Sequence, residues 1–301
     1  MHEVHNNKRL FLLMIPTSIF WAGAFIAGKI AVTEFTPFTL TFIRFFFALL
    51  IIFPLMLKHE KSNWKLNKSD IPVLFFMGFI GIFTYHVLFF ISLKYTTAIN
   101  ASLIGATNPM VTSIFASIIL GESLGLKRIG AILLAFSGVL LTISKGSFDI
   151  FKTLSFNFGD ILMFIAVFCF AIYSVLSKKI MYKLSPLKIL CYSFLFGLII
   201  LIPFVIIENP LTYLSSVTFK GWSSVLYMAM LASALGYLLQ QICIKSYGAS
   251  KTMLFLNLVP IFSILLSAII LNEKASFINL ISGGIIICGV VINSRIKGKA
   301  L

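Results

Sequence analysis

The sequence predicts an all-α polytopic membrane protein whose ten transmembrane helices form two inverted five-helix repeats. Three observations predict it. Apolar residues make up 59% of the chain and charged residues only 11%, against about 25% charged in a soluble domain. Ten apolar stretches approach the roughly 20 residues a helix needs to cross the hydrocarbon core. Finally, NPMVTSIFASIILGE at 108–122 is echoed by VPIFSILLSAIILNE at 259–273, 151 positions later.

In order, the expected spans are 11–32, 38–57, 71–93, 97–120, 126–144, 159–178, 187–207, 222–244, 249–271 and 276–294. They are read as helices because backbone groups in lipid must bond within their own segment. Pro37, Pro72, Gly121, Pro186, Pro210 and Gly248 punctuate the connections, and Asp70 and Asp160 read as helix N-caps. The first apolar run is long enough to span and ends in no small-residue cleavage site, so it reads as a span and not a signal peptide.

The net charge of +15 lies in short clusters between spans, which fits anchoring at a membrane surface and not a nucleic-acid groove. The N-terminus, 58–70, 121–128, 178–186, 245–251 and the C-terminus hold 16 Lys and Arg residues; the alternate connections hold 5. By the positive-inside rule both termini are cytoplasmic. Cys169, Cys191, Cys243 and Cys288 all fall inside apolar runs without a paired spacing, so neither a disulfide framework nor a metal site is expected.

The echo extends beyond the quoted stretches. Lys94 falls on Lys245, His86 on Tyr237, Pro109 on Pro260, Glu122 on Glu273 and Gly138 on Gly289; with the offset at 149, Lys29 falls on Lys178 and Pro37 on Pro186. The units are expected at 10–145 and 157–295. Because five spans is an odd number, the second unit threads the membrane in the opposite direction. Such inverted pairs can rock about a shared central site, opening it to one side and then the other. Duplication that merely enlarges a bundle is the bland alternative.

FWAGAFIAGKIAV (20–32), TPFTLTFIRFFFA (36–48), ISLKYTTA (91–98) and the two echoed stretches resemble the drug/metabolite transporter superfamily, in its bacterial branch with two EamA domains. The resemblance covers nearly the whole chain. It implies a ten-helix transporter with a cavity between halves, and a substrate class of amino acids or related metabolites, usually exported. Arg44 occupies a position where the family often has Arg, but its counterpart is Ser193, so no symmetric pair of arginines is expected.

Prolines inside helices free a carbonyl and kink the chain. Pro109 and Pro260 are therefore expected to kink spans 4 and 9 at the cavity, with Thr107, Asn108 and Asn257 placed to answer the freed carbonyls; a static packing kink is the other reading. Intramembrane polar groups are site candidates by default. Lys29 and Arg44 either snorkel to the head groups or one of them meets a substrate carboxylate. The remaining cavity candidates are Trp21, Tyr85, His86, Asn100, Tyr173, Ser177, Tyr237, Gln240 and Gln241, each of which could instead serve helix-to-helix bonding. The phenylalanines read as lipid-facing or packing residues.

No acidic residue is mid-span. His86 is the one intramembrane group that ordinarily titrates near neutrality. Facilitated diffusion or exchange is expected, with proton coupling through His86 as the alternative. Glu122 and Glu273 read as capping or packing groups at helix ends. GASKT at 248–252 lacks the glycines of a phosphate loop, and no GxSxG or HExxH occurs. The expected partners are a small-molecule solute and membrane lipid, with no cofactor, metal, catalytic residue or nucleic acid. The expected location is the bacterial inner membrane. A membrane-embedded ligand-binding protein or enzyme is the competing class.

Overall fold

The computed structural model describes residues 12, 14–121, 125–147 and 157–295; Glu122 lies outside them. Ten helical spans follow in order. They are α1 (Met14–Ala31), α2 (Pro37–Glu60), α3 (Ile71–Met77 continuing through Gly78–Thr84 to Tyr85–Tyr95) and α4 (Ala98–Gly105 and Asn108–Leu120). Next come α5 (Leu126–Ser144), α6 (Phe158–Ile180) and α7 (Pro186–Glu208). The last three are α8 (Phe219–Tyr227 through Met228–Gly236 to Tyr237–Tyr247), α9 (Ala249–Met253 through Leu254–Leu258 and Val259–Leu266 to Ser267–Leu271) and α10 (Phe277–Arg295). Seven are long and apolar enough to cross a membrane by themselves; the described apolar stretches of α5, α9 and α10 are shorter. Large apolar side chains point outward along the bundle: Leu133 is 63% exposed and Ile269 76%. Such a surface needs lipid as its solvent.

The inverted relation appears in the way helix ends are answered. Glu208, at the end of α7, accepts from Phe38 N (3.2 Å), Thr39 N (2.7 Å) and Thr39 Oγ1 (2.8 Å), and from the Thr36 hydroxyl, at the start of α2. At the opposite end Glu60, closing α2, accepts from the Ser185 hydroxyl, whose oxygen in turn caps Lys188 N of α7 at 3.2 Å. A carboxylate at a helix N-terminus satisfies orphan N–H groups and meets the positive end of the dipole. Each helix of this antiparallel pair therefore supplies the other's cap. The two faces of the bundle are named below by these contacts, the Thr36 face and the Ser185 face.

A second repeat relation joins α5 to α10. Gly138 approaches α10 so closely that a Cβ would lie 2.9 Å from Ser282 O; its counterpart Gly289 approaches α5, where a Cβ would lie 2.8 Å from Ala131 O. Small residues that let backbones meet are a standard way of joining helices in lipid.

Three local expectations are corrected. Asp70 makes no cap; it accepts from Lys183 Nζ at 3.0 Å, and that contact raises the lysine's pKa. Asn157 caps α6, accepting from Asp160 N at 3.2 Å, while Asp160 is buried and accepts from the Thr96 hydroxyl. Pro109 and Pro260 do not kink continuous helices. Each lies at the first turn of a new helix, after a break at Ala106–Thr107 in α4 and a 3₁₀ stretch at Leu254–Leu258 in α9. Proline is favoured there because the missing N–H would have no intrahelical partner.

Candidate functional site

Helices α3 and α8 read from the sequence simply as helices. Both carry a π-helical stretch, at Gly78–Thr84 and Met228–Gly236, and the two stretches coincide under the 151-residue repeat. A π turn moves backbone bonding to the fifth residue back and leaves a carbonyl to be answered. Tyr85 N–H donates to Ile80 O in this way. The Ile82 carbonyl is then taken by His86 Nδ1 at 3.1 Å, and the Ala232 carbonyl by Trp21 Nε1 at 3.1 Å. Side chains from α1 and α3 are thus fixed at the level where each π turn ends.

Immediately after the π stretches, His86 Nε2 and the Tyr237 hydroxyl lie 3.0 Å apart. A carbonyl only accepts, so Nδ1 donates to Ile82; in a neutral ring Nε2 then accepts from Tyr237. Around this contact lies a central cavity of about 50 Å³. Trp21, Ala24 and Phe25 of α1, Arg44 of α2 and Tyr85, His86 and Phe89 of α3 form one part of its wall. Ser102, Gly105 and Asn108 of α4, Met163, Val167 and Phe170 of α6, Tyr237 of α8 and Leu256 and Val259 of α9 form the rest. Such a volume is room for a few water molecules.

Trp21, Arg44, Tyr85, His86, Asn108 and Tyr237, singled out from the sequence, converge on this cavity. Arg44 does not snorkel. It is 3% exposed, its Nε donates to Ser233 Oγ at 2.8 Å, and its guanidinium carbon lies 5.4 and 5.7 Å from the ring centres of Phe45 and Phe90. Asn108 donates to Val167 O at 3.3 Å and accepts from Thr112 at 2.9 Å.

The other candidates lie elsewhere. Toward the Ser185 face, Gln241 Nε2 donates to Tyr173 (2.9 Å) and Ser177 (3.1 Å), and Gln240 Nε2 lies 3.7 Å from Met253 Sδ, all buried. Thr107 turns back onto Ile104 O at 2.7 Å within the α4 break. Asn257 is buried in the 3₁₀ stretch of α9 with no partner for Oδ1. None of these is a wall residue of the cavity.

Lys29 and Asn100 belong to a separate vestibule of about 570 Å³ at the Thr36 face, with Lys94, Lys145 and Lys274. Lys29 Nζ donates to Leu93 O at 2.6 Å and Thr96 O at 2.7 Å, closing the end of α3. Its counterpart Lys178 does the same at the Ser185 face, donating to Ile244 O (3.4 Å) and Lys245 O (3.3 Å) at the end of α8. Lysines on terminal carbonyls complement the negative end of the helix dipole. Other contacts link the repeats at the Thr36 face: Glu273 accepts from Ala98 N (3.1 Å) and Ile99 N (3.2 Å), and Asn279 donates to Asn100 at 2.8 Å. Glu273 is therefore a cap, as its position at a helix end suggested.

Sequence reasoning missed Phe25, Phe89 and Phe170, which wall the cavity among the packing phenylalanines. The signal was available: Trp21, Phe25 and Lys29 recur at intervals of four, as do Tyr85 and Phe89, placing each set on one helical face.

The comparisons with known proteins agree with this architecture. The EamA-like transporter family matches the chain twice, at residues 8–144 and 157–295. The uncharacterized transporter YyaM of Bacillus subtilis (strain 168) is 34% identical over 96% of this chain and 95% of its own length. A probable terminal-alkyne amino-acid exporter of Streptantibioticus cattleyicolor is 22% identical, covering 97% of this chain and 96% of its own. A crystal structure of another protein shares the fold, with a TM-score of 0.68 at 17% identity, covering 95% of this chain and 96% of that one. Two matches, one on each set of five spans, identify the chain as a multi-pass membrane protein of the EamA-like transporter family.

Proposed function

We propose that the chain is a non-enzymatic carrier of the bacterial inner membrane that moves a small metabolite, an amino acid or a related compound, outward by alternating access. The observation that carries this reading is the contact between repeat counterparts, His86 and Tyr237, in the wall of the central cavity. Two inverted units that meet at a shared site can open it to either side by exchanging conformations. The 16-to-5 distribution of Lys and Arg supports cytoplasmic termini, which makes the Thr36 face external and the Ser185 face internal. A relative's printed description as an amino-acid exporter supports the solute class and the direction.

The small central volume and the lysine contacts at both ends support reading this conformation as a closed intermediate. Opening to the outside parts α1 from the end of α3; opening to the inside parts α6 from the end of α8. The units are the two sets of five spans, 10–145 and 157–295. Purified protein in liposomes tests the proposal. Saturable flux with counterflow of a preloaded solute is the expected result. Flux that never saturates describes a pore, and chemical turnover without flux describes an enzyme.

A further inference from the structure

Arg44 is buried at the cavity wall without an acidic partner among the described residues. Its guanidinium has five N–H donors; the structure gives them Ser233 Oγ at 2.8 Å and Met228 Sδ at 4.0 Å. Every described acidic side chain is held elsewhere. Glu34 accepts from Thr218, Glu60 from Ser185, Asp70 from Lys183, Asp160 from Thr96, Glu208 from Thr36 and Thr39, and Glu273 from Ala98 and Ile99. The wall is otherwise aromatic, aliphatic or neutral. A cation taken out of water without a counter-charge is costly, and a guanidinium fork matches a carboxylate in shape. The repeat does not double the charge, because the counterpart of Arg44 is Ser193. Trp21, Tyr85, Phe170 and Tyr237 supply flat apolar surface beside this single cation.

Resting on the carrier reading, we propose that the cavity selects its solute by charge: a small organic carboxylate with an aromatic or branched apolar body, its carboxylate seated on Arg44. The cavity offers no described acidic group to an ammonium, so an amino group is tolerated and not required. Amines that lack a carboxylate are rejected. Arg44 touches the solute directly, and its bond to Ser233 aims the fork.

The test is binding to the purified full-length protein in detergent, followed by intrinsic tryptophan fluorescence, to which Trp21 contributes, and by thermal shift. Two series share a body and differ in head group: 3-phenylpropanoate, phenylalanine, phenethylamine and phenylethanol, then 4-methylpentanoate, leucine, isoamylamine and isoamyl alcohol. In at least one series the carboxylate is expected to bind roughly 30-fold or more tightly than its alcohol and amine, a typical loss for an unpaired buried charge. The amino acid is expected to bind no more tightly than its des-amino acid. Arg44→Gln should abolish the preference, Arg44→Lys should keep it in weakened form, and Ser233→Ala should keep carboxylate ahead of alcohol. An amine equal to its carboxylate, no carboxylate preference in either series, or a preference that survives in Arg44→Gln overturns the proposal. If Arg44→Gln does not fold, the wild-type series still decides the carboxylate preference and Arg44→Lys decides the seat: a preference as strong in Arg44→Lys as in the wild type overturns the assignment. Because binding is read without flux, this inference and the carrier reading fail separately.

Discussion

His86 Nε2 and the Tyr237 hydroxyl, 3.0 Å apart, belong to residues separated by 151 positions, the offset of the repeat itself. Equivalent side chains of two inverted units touch only near the axis that relates the units. The bond therefore marks that axis, and the central cavity lies on it. Tyr237→Phe leaves a buried ring nitrogen without its donor, which typically costs about 1–3 kcal/mol. A lower melting temperature and slower saturable flux are expected. Unchanged stability and flux would deny the contact its place.

A neutral His86 ring satisfies both of its contacts, to Ile82 O and to Tyr237. Facilitated diffusion or exchange needs nothing further from it. His86→Gln should therefore lower the rate and leave the pH profile of flux unchanged. A profile altered by this substitution would instead support proton coupling through His86.

Lys29 and Lys178 close opposite ends of the bundle by the same device, a lysine on the terminal carbonyls of α3 or α8. Each contact should contribute about 1 kcal/mol. Lys29→Met should increase labelling of a cavity cysteine from outside, and Lys178→Met should increase it from inside. Equal effects of both variants on both sides would show that the lysines only stabilise the fold.

Gly138 and Gly289 hold α5 against α10 at a separation that admits no Cβ: the nearest backbone atoms would lie at 2.9 and 2.6 Å. Overpacking of this kind costs about 1–3 kcal/mol. Gly138→Val and Gly289→Val should each lower the melting temperature in detergent, by similar amounts because the contacts are related by the repeat. A tolerant Gly289 would contradict the close approach.

The reciprocal caps of α2 and α7 differ in strength. Glu208 answers two backbone N–H groups and two hydroxyls, whereas Glu60 answers the Ser185 hydroxyl and His59. Glu208→Ala should cost about 1–2 kcal/mol, and more than Glu60→Ala; the order of the two melting temperatures checks this.

Much of this arrangement was legible in the residues. The echo aligns His86 with Tyr237, Lys29 with Lys178 and Gly138 with Gly289, because duplication preserves spacing. Hydrophobic length located the spans, and the EamA-like resemblance named the family that the comparisons bear out. The π stretches of α3 and α8 were not legible, since nothing in GFIGIFT or MAMLASALG breaks a helix; they depend on answers from Trp21 and His86 to carbonyls in their own or another helix. Caps such as Glu208 on Thr39 join positions 169 apart, beyond any local pattern. Tyr173, Ser177 and Gln241 had the residue types of a binding site, but Gln241 Nε2 donates to the other two outside the cavity wall. Polarity inside a span signals a partner, and only packing decides whether that partner is the protein or the solute.

A single cysteine at Ser102, in the cavity wall and fully buried, replacing the four native cysteines, tests the central claim most directly. Impermeant maleimide is applied to right-side-out and inside-out vesicles, with and without transported solute. Two-sided access is predicted, with solute shifting the balance between the sides. Reaction from one side alone, whatever the solute, would contradict a site that opens alternately to both.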